Sequence, residues 1–250
     1  SGINLEDIKA PKCFEIEDEL KKTMPIPIFH DDQHGTAIVV LAGLLNALSL
    51  ADKKIEDVKI VFSGAGAAAT AVSKLILLTG VKNIIHTDID GVLYSGRRNN
   101  TKALEELAQL TNPNQVQGTL KDVIKKADVF IGLSAPNILT EDMIKTMADK
   151  PIVFALANPT PEIMPDIAQK AGAYIVATGR SDFPNQLNNS LAFPGLFKGI
   201  LKSKISQITD EIKLECAFAI ASTVTDEEIN PNYIIPNALD RNVVETVSNN

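Results

Sequence analysis

The segment IFHDDQHGTA (residues 28–37) places two aspartates between two histidines, and these are side chains that bind metals or transfer protons. A zinc site needs histidine or cysteine ligands in a closed tetrahedral set. His30 and His34 would share one face of a helix, but Pro27 and the extended PIPIF segment disfavour a helix through His30. The third histidine, His86, falls within a predicted strand. The sequence therefore does not favour a zinc site built on histidines.

Carboxylates offer a second set of candidate ligands. Glu6 and Asp7 occur in the LEDI motif, and Asp31 and Asp32 form the aspartate pair. Clustered oxygen ligands suit Mg²⁺ or Mn²⁺, which accept the oxygens of a substrate as further ligands. Glu6 and Asp7 can share an ion only at a turn or a helix end, because adjacent residues of a strand face opposite sides. From the residues alone, a metal site and capping by Asp32 of the apolar helix predicted from Gly35 are both open.

A glycine-rich turn lies between a predicted strand and a predicted helix. It comprises Gly64, Ala65, Gly66, Ala67, Ala68 and Ala69, the GxGxxA form of the dinucleotide fingerprint. Gly64 allows the tight turn, Gly66 lets the backbone approach a pyrophosphate, and Ala69 lets helix and strand pack closely. The phosphates would lie at a helix N-terminus, where free N–H groups favour anions. The alternative is that these small residues serve only packing.

An acidic residue at the end of the next predicted strand supports nucleotide binding. Asp88 follows Gly66 by 88 − 66 = 22 residues, close to the spacing of about 20 at which an acid binds the adenosine ribose. No arginine or lysine occurs at residues 87–95. A 2′-phosphate would therefore meet carboxylates, which favours NAD over NADP. A loop folded back to bring Arg97 or Arg98 close would weaken this preference.

Strands and helices alternate along most of the chain. The predicted strands are residues 58–64, 83–90, 128–134, 151–158 and 173–179, with an extended segment at 25–29. The predicted helices are residues 14–24, 35–51, 66–80, 101–110, 120–127, 140–148, 164–172, 195–204 and 209–222. This alternation predicts an α/β fold with a doubly wound, mostly parallel, Rossmann-like sheet and helical N- and C-terminal extensions. We divide it into a metal-ligand segment, 1–34, and a nucleotide-binding domain, 35–250.

Composition excludes several classes of partner. The 250 residues carry a net charge of −7 and a pI near 5.1, which argues against nucleic acid or an anionic membrane. Two distant cysteines, Cys13 and Cys216, indicate a reducing, cytoplasmic setting. The apolar segment 36–51 is shorter than the roughly 20 residues of a membrane span and contains Thr, Asn and Ser, so it predicts a buried helix. The first residue is Ser1, consistent with a processed chain or a domain of something longer.

The order of the motifs identifies a resemblance to a known family. The motifs are INLEDIKAPKCFEIEDEL, IPIFHDDQHGTAIVVLAGLLNAL, VFSGAGAAA, FALANPTPEI and NQLNNSLAFPGLFKG. Together they resemble the malic enzymes of the compact bacterial type, which oxidise and decarboxylate malate with NAD(P). The resemblance implies metal ligation by Glu6, Asp7 and Asp32 with Asp31 supporting, contact of Asn158 with nicotinamide and substrate, and binding of the malate carboxylate by Asn188.

The implied reaction has three steps. The malate hydroxyl loses a proton as hydride passes to NAD, carbon dioxide then leaves while Mg²⁺ or Mn²⁺ draws electrons, and the enolate is protonated to pyruvate. The resemblance also implies a homodimer or higher homo-oligomer. It explains why carboxylates that suit a divalent metal precede a nucleotide-binding domain.

One departure from the family pattern concerns proton transfer. In the family, a lysine acting as general base and a tyrosine acting as acid precede the LED motif, which would place them upstream of Ser1. The tyrosines of this sequence, Tyr94, Tyr174 and Tyr233, do not match the family position. We therefore expect this chain alone to bind NAD and metal but to turn over malate poorly. The alternatives are another NAD-dependent dehydrogenase, of the amino-acid or tetrahydrofolate type, and a non-catalytic NAD-binding fragment.

Overall fold

The computed structural model describes residues 1–249. Its strands are β1 (Ile3–Leu5), β2 (Ile28–His30), β3 (Lys59–Ser63), β4 (Asn83–Asp88), β5 (Gly91–Val92), β6 (Val129–Gly132), β7 (Ile152–Ala155) and β8 (Ile175–Thr178). Within this range, six of them form one sheet in the order β5–β4–β3–β6–β7–β8. All neighbours in that sheet are parallel except β4 and β5. The predicted doubly wound, mostly parallel sheet is confirmed.

Helices cover both faces of this sheet. They are α1 (Lys12–Thr23), α2 (Thr36–Ala51), α3 (Ala67–Leu77), α4 (Lys102–Leu110), α5 (Leu120–Val123), α6 (Glu141–Ile144), α7 (Pro165–Lys170), α8 (Phe193–Ser203), α9 (Asp210–Ser222) and α10 (Arg241–Asn249). Strands β6, β7 and β8 are buried along their whole length. A strand covered on both faces is apolar throughout, which is why continuous apolar runs located these strands in the sequence.

The apolar helix α2 forms the centre of one layer. It packs on α3 and α9 and follows without a break from a π-helical turn, Asp31–Gly35. Helical structure therefore begins at Asp31, four residues before the predicted start, because the π-helical turn extends it. The combined 21 residues are long and apolar enough to cross a membrane, but 67% of the most apolar window is buried inside the protein. The expectation of a buried helix is confirmed.

A small parallel sheet joins the N-terminus to the aspartate pair. In it β1 pairs with β2, so that Ile3 lies opposite Ile28 and Leu5 opposite His30. The sequence predicted β2 but not β1. Because both strands run in the same direction, the residues that follow them, Glu6 and Asp31, emerge at the same end of this sheet.

Three other elements differ from expectation. Strand β5 is a two-residue hairpin partner of β4 and was not predicted. Helix α10, which packs on α8 and α9, was also missed. The predicted helix at 120–127 shortens to one turn, α5, which Thr119 and Asp122 cap. The predicted cap of α6 by Thr140 is confirmed, since its side chain accepts a hydrogen bond from Met143 N.

Candidate nucleotide and metal site

The glycine-rich turn connects β3 to α3 at the carboxyl edge of the large sheet. Gly64 has a φ of +114°, and a Cβ there would lie 2.6 Å from the Leu133 carbonyl oxygen, so the fold itself requires glycine. Gly66 precedes α3 directly, and a Cβ there would meet nothing within 4 Å. The fold therefore leaves open space beside Gly66, next to the N-terminus of α3, where an anion is stabilised.

His86 supports this turn from below. Its Nδ1 lies 2.9 Å from the Gly64 carbonyl oxygen and donates to it, because a carbonyl can only accept. The ring stacks on Phe62 with centroids 4.4 Å apart. Burial lowers the pKa of His86 to about 4, so the imidazole is neutral at neutral pH. The sequence predicts His86 within a strand but does not indicate that it contacts the turn.

Asp88 ends β4, as predicted, and is held by Arg97. Arg97 Nη1 donates to Asp88 Oδ1 at 2.8 Å and Nη2 donates to Oδ2. Burial would raise the pKa of Asp88, but hydrogen bonds from Arg97 and from Asp90 N hold it below its ordinary value. The loop after β5 therefore does fold back, and the expectation that this edge presents carboxylates without a cation is corrected. Arg97 is itself buried, with Nε donating to Asn100 Oδ1 at 3.0 Å.

Asn158 lies on the other side of the glycine-rich turn. It follows β7, its side chain is exposed, and it lies against Gly179, whose Cβ position would be 3.4 Å from Asn158 Nδ2. Strands β3 and β6 separate β4 from β7. Strands β4 and β7 are therefore three strand spacings apart, about 14 Å, and the glycine-rich turn after β3 lies between the ends that carry Asp88 and Asn158. This is the edge at which doubly wound sheets bind extended ligands.

The predicted metal-side carboxylates lie near the π-helical turn. Asp7 has a φ of +57°, at a bend, and its backbone N donates to Asp32 Oδ2 at 2.8 Å. Asp31 is buried, and its Oδ2 accepts from Asn189 Nδ2 at 2.9 Å while Oδ1 has no partner. Burial, together with the charges of Glu6 and Asp32, raises the pKa of Asp31 to about 6. The two charged groups that shift the pKa of Asp31 are thus both carboxylates.

The donor type and this charge fit a hard divalent cation, and the unpartnered Asp31 oxygen agrees with that fit. Across residues 1–249, however, no three His, Cys, Asp or Glu side chains converge as a preformed metal site. Asp32 lies inside the π-helical turn, and the residue before that turn, His30, makes no side-chain cap. Capping of the helix by Asp32 is therefore wrong, whereas metal ligation by Glu6, Asp7 and Asp32 stays a prediction.

The two histidines of the opening motif belong to a buried network around Glu17. Glu17 Oε1 accepts from His34 Nε2 at 2.6 Å and from Lys21 Nζ at 2.7 Å, and Oε2 accepts from Gln33 Nε2 at 3.1 Å. Gln33 Nε2 also lies 2.8 Å from His30 Nδ1. Because that amide is the donor, His30 carries its proton on Nε2, which faces Asp32 Oδ2 at 3.7 Å. Both histidines therefore position the turn.

The two asparagines of the NNSL motif have separate roles. Asn188 Oδ1 accepts from Ser190 N at 2.9 Å and begins a 3₁₀ turn, Asn189–Leu191. That turn packs on the π-helical turn, and Asn189, not Asn188, reaches Asp31. The sequence does not distinguish Asn189 from Asn188, because adjacent amides differ only in the direction in which the folded turn points them.

Comparison with known proteins supports the arrangement. A family model described as "Malic enzyme, NAD binding domain" matches residues 33–249. The NAD-dependent malic enzyme of Geobacillus stearothermophilus is 55% identical over 246 residues, 98% of this chain and 51% of the relative. The NADP-dependent malic enzyme of Escherichia coli (strain K12) is 45% identical over 99% of this chain and 34% of the relative. The chain thus spans about half the length of the Geobacillus relative and about a third of the length of the Escherichia relative.

A solved structure agrees over the whole fold. The NAD-dependent malic enzyme from Thermotoga maritima is similar with a TM-score of 0.95 and 50% sequence identity, over 99% of this chain and 65% of that one.

Proposed function

Because this chain belongs to the malic enzyme NAD-binding-domain family, we propose that it forms the nucleotide-binding part of an enzyme that oxidatively decarboxylates malate to pyruvate and carbon dioxide. The observation that carries the proposal is the open space beside Gly66 at the N-terminus of α3, flanked by Asp88 and Asn158. Packing explains Gly64 but not Gly66. A ligand whose phosphates approach this backbone would explain Gly66.

Different residues of the cleft would bind different parts of the dinucleotide. Backbone N–H groups at Gly66, Ala67 and Ala68 would bind the pyrophosphate, with Gly64 and Ala65 shaping the turn. Asp88 would accept hydrogen bonds from the adenosine ribose. Asn158, exposed on the far side, would contact the nicotinamide end and the substrate.

The carboxylate cluster would hold Mg²⁺ or Mn²⁺ through Glu6, Asp7 and Asp32. A bound ion would supply Lewis-acid polarisation of the substrate oxygens. Asp31 would keep the cluster negative and is oriented by Asn189, while Asn188 would bind a malate carboxylate. Segment 1–34 would thereby belong to the substrate side of the enzyme and residues 35–250 to the nucleotide side.

We propose NAD rather than NADP as the cofactor. Both Asp88 oxygens accept from Arg97. A 2′-phosphate would therefore meet the negative charge of Asp88, and the guanidinium of Arg97 would already be paired with that carboxylate. The relatives include NAD- and NADP-dependent enzymes, so the pairing within this chain supports the choice. A cytoplasmic homo-oligomer is the setting that we propose for the whole enzyme.

A single substitution tests nucleotide binding. Gly66→Ala places a methyl group in space that is empty in the protein, so the unfolding midpoint should change little. The same methyl group would contact the pyrophosphate, and NADH affinity should fall at least about tenfold. NADH fluorescence titration of wild type and variant measures this. Absence of NADH binding by the wild type, or unchanged binding by Gly66→Ala, would count against the proposal.

A further inference from the structure

We propose that Glu162 is a positioning residue that sets the nicotinamide side of the dinucleotide cleft. This inference rests on the proposed function. Glu162 is completely buried, lies beyond β7, and was not among the residues that the sequence pointed to. Its Oε1 accepts from Ser134 N at 3.0 Å and its Oε2 accepts from Ala157 N at 3.1 Å.

These two backbone donors lie on the segments that leave neighbouring strands. Ser134 is two residues beyond β6, and Ala157 is two residues beyond β7. One carboxylate therefore ties together both segments at the carboxyl edge of the sheet. The Glu162 carbonyl oxygen also accepts from Leu139 N at 3.1 Å. Leu139 lies further along the chain that follows β6, so this part of the chain contacts Glu162 at two points.

The surrounding residues are shaped to this carboxylate. A Cβ on Gly132, the last residue of β6, would overlap the Glu162 carboxyl group, so glycine makes room for it. Burial raises the pKa of Glu162, while the N–H groups of Ser134 and Ala157 act in the opposite direction by favouring the ionised form. An apolar side chain could fill the space but could not accept from two N–H groups. The carboxylate therefore fixes the separation of the two segments.

The segments that Glu162 joins carry the groups on the nicotinamide side. Asn158 directly follows Ala157, and Ser134 Oγ lies 2.8 Å from Ser63 Oγ at the end of β3, one residue before Gly64. A change at Glu162 would therefore move Asn158 relative to the glycine-rich turn. Asp88, on the opposite side of that turn, has no contact with Glu162 among the described hydrogen bonds.

Glu162→Gln is the test. The carboxamide keeps one oxygen, so one of the two N–H groups must face the NH₂ group, and the two segments are no longer tied together. NADH affinity should fall at least about tenfold, whereas ADP-ribose, which lacks nicotinamide, should lose less than about threefold. Both are measured on the 250-residue chain, NADH by fluorescence and ADP-ribose by competition, with the thermal midpoint recorded for each variant.

Asp128→Asn is the matched control. Asp128 Oδ2 accepts from Lys59 N at 2.9 Å and Oδ1 from Lys53 Nζ at 2.6 Å, so it also joins neighbouring segments, but at the amino edge of the sheet. This variant should lose stability and keep the wild-type ratio of NADH to ADP-ribose affinity. A second variant, Gly132→Ala, displaces the Glu162 carboxylate without removing it. It should lower the affinity for NADH more than that for ADP-ribose, and it provides the test if Glu162→Gln folds poorly.

The outcomes separate this inference from the proposed function. A selective loss of NADH in Glu162→Gln or in Gly132→Ala supports the positioning role. Equal losses of both ligands, or no loss of either, overturn it while leaving nucleotide binding intact. Wild-type chain that binds neither ligand overturns the proposed function itself, before any variant is compared.

Discussion

The guanidinium of Arg97 and the carboxylate of Asp88 form a two-point ion pair at the end of β4, with Nη1 and Oδ1 2.8 Å apart. Such a pair is planar and orients both groups. The carboxylate is also fixed by Asp90 N at 2.8 Å. Asp88 is thus held ionised and aimed along the carboxyl edge before any ligand binds.

Asp88→Asn should change the choice between nucleotides. The amide weakens hydrogen bonding to a ribose diol and releases Arg97 toward a 2′-phosphate. We expect NADH affinity to fall about tenfold and NADPH affinity to rise relative to it, measured by fluorescence titration. Asp90→Asn changes the net charge equally in the same turn and should leave the ratio near that of wild type. Equal ratios for both variants would show that overall charge, not the pair, sets the preference.

His86 should make stability fall as the pH drops. Its pKa is lowered by burial from 6.5 to about 4, so between those values the unfolded chain binds a proton that the folded chain excludes. The contribution of neutral His86 is therefore complete above pH 6.5 and is lost as the pH falls toward 4. Between pH 7 and pH 5 this amounts to about 2 kcal/mol. The free energy of unfolding, measured by urea denaturation, should therefore change between pH 7 and pH 5 by about 2 kcal/mol less in His86→Phe than in the wild type. The same change in both proteins would contradict the assignment.

Glu17 should contribute to stability through its buried network. Burial raises its pKa, but His34 and Lys21 hold it at about 2, and all the contacts described for its two oxygens are with N–H donors. In Glu17→Gln one donor would face an NH₂ group, so the free energy of unfolding should fall by about 2–3 kcal/mol. Glu15→Gln, at an exposed position of the same helix, should change it by less than about 0.5 kcal/mol. If urea denaturation gave the two variants equal free energies of unfolding, the network would not contribute to stability.

Asp32→Asn should affect the metal-free and metal-bound protein in opposite directions. Asp32 is one of the charges that raise the pKa of Asp31, so its removal should relieve repulsion and raise the unfolding midpoint without metal. Mn²⁺ should raise the midpoint of the wild type and have little effect on the variant. Asp18→Asn, on the exposed face of α1, should respond to Mn²⁺ as the wild type does. A full Mn²⁺ response in Asp32→Asn would remove Asp32 from the ligand set.

The sheet could be predicted from sequence because its strands are buried on both faces. The runs 129–133 and 152–157, which contain β6 and β7, are apolar without interruption and are bounded by polar or turn residues. Strand β5 is two residues long and has no periodicity to detect. The glycine-rich turn was recognisable since φ and close approach restrict which residues can occupy Gly64 and Gly66.

The site residues that escaped prediction act through tertiary contacts. Glu162 bonds to segments 28 and 5 residues away, and Asn189 reaches Asp31 across 158 residues. His86 has ordinary sequence neighbours, and only the folded chain places it against Gly64. Arg97 was considered beside Arg98, and only the folded loop shows that Arg97 is the one that pairs with Asp88. Residue type predicted what chemistry each could do, whereas its partner depended on the packing of distant elements.

The π-helical turn has a consequence for how the chain can change in length. Thr36 N donates to the Asp31 carbonyl oxygen, five residues back, so this turn contains one residue more than an α-helical turn would. Deleting any residue of 32–35 would restore ordinary helix and rotate everything before it by about 100° around the axis of α2. Asp31 would then face away from Asn189. The number of residues in this segment therefore cannot vary without separating the acidic cluster from the nucleotide cleft.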